Sequence, residues 1–293
     1  MSDRGVVYDL GYKPHDGPRL GRSAAVAATI RDGVRRVLGI RRKAKRKVLP
    51  WLLFSIALLP AVVFVGLIFL SNQIAAGEII DTPFANAASY FDIASTTVLL
   101  FCALAGPELL VPDRVDGVLA VYSSRPMTVL DYLGARAAAL AICVGAFLIV
   151  PQLLLYVGLA ALEPGGFAGN LVGEWLELVR VIGASVVFLL AYGAPALLIA
   201  VFAKRVAAAT GVYLGTMFAL SAAAEGFADT GTRWAALFGL AEHPAVVRDA
   251  IFDRSSDLLL TRQGFDWWVS LAIILAVAVA TITVAVRRYR SLM

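Results

Sequence analysis

The chain has 293 residues, of which 60% are hydrophobic and 16% charged, and its mean hydropathy is +0.80. That balance lies outside the range of soluble globular domains and identifies a membrane protein. The net charge of +5 includes the run RRKAKRK at 41–47, but the run abuts the first long apolar stretch, where topology anchoring and attraction to anionic lipid explain it more simply than nucleic acid does.

The first 48 residues are polar and lack the short apolar core of a cleavable signal, so the first crossing is expected to be retained. Within them Val26, Ile30, Val34, Val37 and Leu38 share one helical stripe, while Arg31, Asp32, Arg35 and Arg36 lie on the other side. The pattern predicts an interfacial amphipathic helix over about 22–40, with its cations toward anionic lipid. The alternative is a packing helix of a small cytoplasmic domain. Gly33 and Gly39 weaken the helix.

Six apolar stretches are long enough to cross a hydrocarbon core: 51–70, 89–111, 137–162, 178–202, 206–224 and 267–286. Continuous apolar runs, rather than alternating segments of about ten residues, predict helices and not a β-barrel. All but five of the 26 Lys and Arg, the exceptions being Arg180, Arg233, Arg248, Arg254 and Arg262, fall on one side of this arrangement. The positive-inside rule predicts that both termini lie in the cytoplasm, and the expected location is the cell (plasma) membrane. The expected fold is an all-α polytopic membrane protein with six transmembrane helices, an N-terminal interfacial helix and a helical external loop between helices 5 and 6. That loop, 226–266, is too long to be structureless and carries apolar clusters, and Pro244 in HPAVVRDAIF marks a first helical position.

Between the second and third crossings stands a charged island, PDRVDGVLAVYSSRPMTVLDYLGAR, at 112–136. Val115, Val118, Leu119 and Tyr122 recur at helical spacing, predicting a short cytoplasmic helix that starts near Asp113, where a carboxylate suits a helix N-terminus. Pro126 pushes Arg125 out of helical geometry and ends it. Thr128 and Asp131 form a variant capping box for the third crossing, with Met127 stapled against Tyr132. The island therefore reads as a stiff lever rather than a slack hairpin.

At Asp113, Arg114, Gly117, Val118 and Leu119, then Ser124, Arg125 and Pro126, then Tyr132, Leu133, Gly134 and Arg136, the chain resembles the integral membrane subunit of ABC-2 type transporters. Asp116 stands where many members of that family carry a glutamate before the glycine. The resemblance implies an exporter half that pairs with a second permease protomer, identical or homologous, and with a cytoplasmic ABC ATP-binding subunit. The first cytoplasmic loop would dock on that subunit through Asp113, Arg114, Asp116, Gly117, Leu119, Tyr122, Ser124, Arg125 and Pro126. It further implies that the first, second and fifth helices line the path between protomers.

A P-loop requires GxxxxGK[ST], and none of the lysines (13, 43, 45, 47 and 204) follows a glycine. No cofactor is therefore expected in this chain; ATP and Mg²⁺ would belong to the partner ATPase. Glu108, beside Pro107, and Glu225 are candidates for the translocation path, since intramembrane carboxylates invite a functional reading. The structural alternative for Glu108 is pairing with Arg114 or Arg136; Asp92, Arg180 and Glu225 sit at outer ends. Pro151 and Pro195 should kink their helices, and Gly211 with Gly215 forms a GxxxG that permits close helix approach. His15 and His243 are assigned to opposite sides, which excludes a two-histidine metal site. Cys102 and Cys143 lie in membrane segments without ligand spacing and read as packing residues. An ATPase-independent secondary transporter or channel, and a non-transporting assembly protein, remain the alternatives.

Overall fold

The computed structural model describes residues 21–40, 45–74, 86–119, 122, 127–162 and 166–292. Among them there is no strand, and six helices are long and apolar enough to cross a membrane. The elements are α1 (Arg22–Val37), α2 (Lys45–Ile74), α3 (Ala87–Val115), α4 (Val129–Leu162), α5 (Phe167–Gly173), α6 (Trp175–Phe188), a π-helical turn (Leu189–Gly193), α7 (Ala194–Phe202), α8 (Val206–Asp229), a 3₁₀ turn (Arg233–Phe238), α9 (His243–Ile251), α10 (Leu259–Arg262) and α11 (Trp267–Arg290). The spans are α2, α3, α4, the continuous α6 to α7, α8 and α11. The chain is thus an all-α, multi-pass membrane protein, and its spans outrun the apolar stretches because they continue into polar ends such as Asp131 and Arg114.

α3 is the central span, buried along most of its length, whereas α2 and α8 are the most peripheral. Its aromatic rings reach α4 and α6: Phe101 stacks on Phe147 with centroids 4.0 Å apart, and Phe91 on Phe188 at 5.2 Å. At Gly106 a Cβ would lie 2.8 Å from Ala196 Cβ and 3.1 Å from its carbonyl carbon. Only glycine there lets the α3 and α7 backbones touch, the small-residue mode of packing that membrane helices favour.

The prolines release carbonyls, and neighbouring helices supply the missing donors. Pro107 leaves Ala103 O without its intrahelical partner, and Thr210 Oγ1 of α8 donates to it at 2.8 Å. Pro151 likewise leaves Phe147 O, which at 3.4 Å shares the Tyr90 hydroxyl with its nearer acceptor, Ala57 O of α2, at 2.9 Å. At Pro195 the expected kink takes the form of the π turn immediately before it, where the wider register absorbs the lost bond. Tyr213 OH donates to Tyr192 O at 3.0 Å inside that turn. Thr210→Val keeps the shape and removes the donor, so it should cost about 1 kcal/mol. Comparing detergent-solubilised wild type and variant by chemical unfolding checks this; no loss would show that water reaches Ala103 O.

α1 departs from the expected amphipathic arrangement. The face against the bundle is Thr29, Gly33 and Val37, with Val26 and Val34 on one flank and Asp32 and Arg36 on the other. At Gly33 a Cβ would meet Ala139 Cβ at 2.6 Å and Leu109 Cδ2 at 3.1 Å. The glycine that costs helix propensity is therefore the contact that seats α1 on α3 and α4. Part of the polar face points inward, to buried charges, rather than to lipid.

The loop between α8 and α11 is helical, as predicted. Glu242 is the N-cap residue of α9 and Pro244 occupies the second helical position, where its missing N–H costs nothing. α9 is buried against α6 and α11.

Candidate functional site at the basic end

Asp113 does not begin a helix. α3 runs on through Pro112 to Val115 and ends in a turn at Asp116. Gly117 has φ +69°, and Val118 N–H donates to Asp113 O at 3.0 Å, the bond of a Schellman termination. Gly117 is thus required by a left-handed backbone position: Val115 closes the second span, and past the turn Leu119 and Tyr122 are again helical, with Tyr122 N–H donating to Val118 O at 3.3 Å, so the short helix starts after Gly117 and not near Asp113.

At a helix C-terminus a carboxylate faces the unfavourable end of the dipole, and two arginines offset this for Asp113. Its side chain is 2% exposed. Oδ1 accepts from Arg36 Nη1 at 2.7 Å, and Oδ2 accepts from Arg136 Nη2 at 2.5 Å and from Tyr132 OH at 2.8 Å. Arg136, fully buried, also donates through Nη1 to Asp32 Oδ2 at 3.0 Å and through Nη2 to Tyr122 OH at 3.3 Å. Burial raises the affinity of Asp32 for a proton, but the bonds from Arg136 and Arg36 outweigh it and hold the carboxyl below its usual range. Tyr132 stacks on Tyr289 near the end of α11 with centroids 5.7 Å apart. One ionic knot therefore ties α1, the end of α3 and the start of α4, with α11 stacked against it.

The capping box is present. Thr128 N–H donates to Asp131 Oδ2 at 2.8 Å, and Asp131 N–H donates to Thr128 Oγ1 at 3.2 Å. Arg22 of α1 clamps the same carboxylate through Nε and Nη2, both at 2.8 Å. Met127 is buried, its sulfur 3.8 Å from Thr29 Oγ1, so it also helps seat α1.

Of the residues assigned to ATPase docking, Asp113 and Leu119 are buried, Tyr122 is half-buried, and Arg114 is turned inward. Arg114 donates to Ala200 O at 3.2 Å and to the carbonyls of Val201 and Ala203, closing the C-terminus of α7. Asp116 and Gly117 are exposed at the turn. Ser124, Arg125 and Pro126 lie outside the described residues. Glu108 is half-buried; Arg136 is bound to Asp113 and Asp32, and Arg114 to carbonyl oxygens. Glu225 is exposed near the far end of α8, so the two candidate path carboxylates belong to opposite ends of the bundle.

Sequence reasoning missed the second ionic cluster, at the far end. Arg248 on α9 is 1% exposed and pairs with Asp92 at the start of α3 and with Asp249, its Nε 2.9 Å from Asp249 Oδ1. Arg254 reaches the other oxygen of Asp92 at 2.7 Å. The signal available was an Arg-Asp pair within an apolar nonapeptide, whose helical turn could not stay solvated on both faces.

His243 is buried between Leu237 O, 3.1 Å from Nε2, and Ser270 Oγ, 3.0 Å from Nδ1. A neutral ring donating from Nε2 and accepting at Nδ1 satisfies both. Burial lowers its pKa below the ordinary 6.5, against the bond to Leu237 O. The unfolded chain therefore takes up the proton first as pH falls, and the stabilisation present above about 6.5 is lost below it. Burial shifts Glu242 the other way, upward from 4.5, which adds stability at lower pH. The thermal midpoint should therefore fall between pH 7.5 and 5.5, and His243→Gln should shrink that fall; an equal fall in the variant would assign it to other groups.

Among the described residues no group of three or more His, Cys, Asp or Glu could hold a metal ion. Fold and buried ionic knots together define the class: a six-span helical membrane protein with a charge-locked elbow at its basic end. No family model matches the sequence, and no curated protein is significantly similar to it.

Proposed function

We propose that the chain is the membrane-spanning subunit of an ATP-driven ABC-2 type exporter of the cell membrane, worked by a separate ATP-binding subunit at its basic, cytoplasmic end. The observation that carries this reading is the buried Asp113–Arg136–Arg36 knot. A force applied at the exposed turn Asp116–Gly117 would reach the second and third spans together, because their ends are cross-linked by charge and cannot slide independently. Coupling then needs only that the motor bind differently to two positions of this elbow.

Asp113, Arg114 and Leu119 serve this unit from within, as the rigid body of the lever, and the docking surface narrows to Asp116, Gly117 and the neighbouring segment 123–126. A second protomer is accommodated on α8, where Ala208, Gly211, Gly215, Ala219 and Ala222 form an exposed stripe and nothing lies within 4 Å of a Cβ at either glycine. α2 and α8, the two most peripheral spans, would flank the path between protomers.

The test is to co-purify the chain with a candidate ATP-binding subunit and to measure complex formation and ATP turnover for wild type, Asp116→Lys and Arg125→Ala. Loss of association or of transporter-stimulated turnover supports the docking surface. Unaltered association and turnover would remove that surface, and the absence of any nucleotide-hydrolysing partner in mild detergent would remove the reading itself.

A further inference from the structure

Away from α2 and α8, the ends of α3, α4, α7 and α11 enclose a groove of about 220 Å³ in the basic half of the bundle. Its walls are almost wholly apolar, including Leu110, Leu133, Gly134, Leu197, Ile282 and Ala285. Gly134 opens it, for a Cβ there would meet no heavy atom within 4 Å. The volume is below that of a site for a drug-sized ligand, but it suits a stretch of hydrocarbon chain.

Two features give the groove a sign. Arg136 lines it and is fully buried, and its Nε–H has no acceptor among the described residues. One helical turn beyond Val286, which also lines the groove, Arg290 is exposed at the end of α11 and makes no ion pair with a described residue. Arg288 is instead held over the Phe202 ring at 4.8 Å. A hydrocarbon slot that ends below an unpaired arginine matches an amphiphile with an apolar tail and a negatively charged head.

We infer that this groove is a binding site for one anionic phospholipid from the leaflet at the basic end, with an acyl chain between α4 and α11 and its headgroup at Arg290. The site is separate from the proposed docking turn and from the α8 stripe, so it stands whether or not the chain is a transporter subunit. Because Arg136 belongs both to the groove wall and to the ionic knot, an occupied groove would brace the elbow from the lipid side.

The full chain, purified in mild detergent, is equilibrated with equal amounts of dioleoylphosphatidylglycerol and dioleoylphosphatidylcholine, and retained lipid is counted by native mass spectrometry. Wild type should keep one phosphatidylglycerol in preference to phosphatidylcholine by at least about fivefold. Arg290→Gln should reduce that preference, and Gly134→Phe and Ile282→Trp, which fill the groove from opposite walls, should abolish retention. Val179→Phe, on the exposed face of α6, should leave it unchanged. If Gly134→Phe is not monodisperse, Ile282→Trp and Arg290→Gln carry the test. Equal retention of both lipids, retention of added oleate in place of phosphatidylglycerol, or undiminished retention in the filled variants would each overturn the assignment.

Discussion

Asp113→Ala should be the most damaging single change at the basic end, costing about 3–5 kcal/mol, the usual penalty for removing one partner of a buried ion pair. The carboxylate serves two arginines and Tyr132 OH at once. Its removal leaves Arg136, which has no solvent exposure, with only the half-exposed Asp32 as counter-ion. The loss is not the net worth of the interaction, because most of it is the cost of a stranded guanidinium. Asp113→Leu combined with Arg136→Met should therefore be much less destabilised than the sum of the two single changes. Chemical unfolding in detergent, run as a double-mutant cycle, measures this. A loss near zero for Asp113→Ala would mean that water enters the knot. Under the proposed function the single change should also separate ATP turnover from transport, since the second and third spans would no longer move as one.

Arg248→Met should have a comparable effect at the opposite end, about 3–5 kcal/mol. Asp249 is 4% exposed, and the nearby Arg254 is held by Asp92 at 2.7 Å. Removing Arg248 therefore strands a buried carboxylate, and the α9 helix it belongs to should detach from α3. Adding Asp249→Leu should restore much of the stability. Limited proteolysis of the loop between α8 and α11, compared in wild type and variants, reads the detachment directly. Equal resistance in Arg248→Met would show that apolar packing of Val246 and Val247 alone holds α9 in place.

The two clusters differ in how far the sequence disclosed them. Asp113 and Arg136 each stand where a long apolar run meets the island, so their importance was legible, but their partnership was not. The helical pattern suggested that Asp113 opens a helix, whereas it closes one: α3 continues through Pro112 to Val115 and ends at the left-handed turn of Gly117. The capping box at Thr128 and Asp131 was readable because it is local, spanning one turn. Arg22, which clamps the same Asp131 from 109 positions away, was not, since no local rule links them. Gly33 looked like a weakness in a helix and Gly117 like a docking residue; the first is a contact and the second a termination, and both roles depend on the surrounding backbone.

Composition and run length alone determined that this chain crosses a membrane six times as helices, because hydrocarbon offers no partner for backbone N–H and C=O and so fixes both the form and the minimum length of a span. Tertiary structure alone decided which helix meets which, where the freed carbonyls of Ala103 and Phe147 find donors, and that part of the polar side of α1 turns inward. In lipid the surface facing a neighbour and the surface facing acyl chains are equally apolar, so hydropathy marks the span but not its inner face. Only packing distinguishes the two, through small residues that let backbones approach and charges that must find each other once buried.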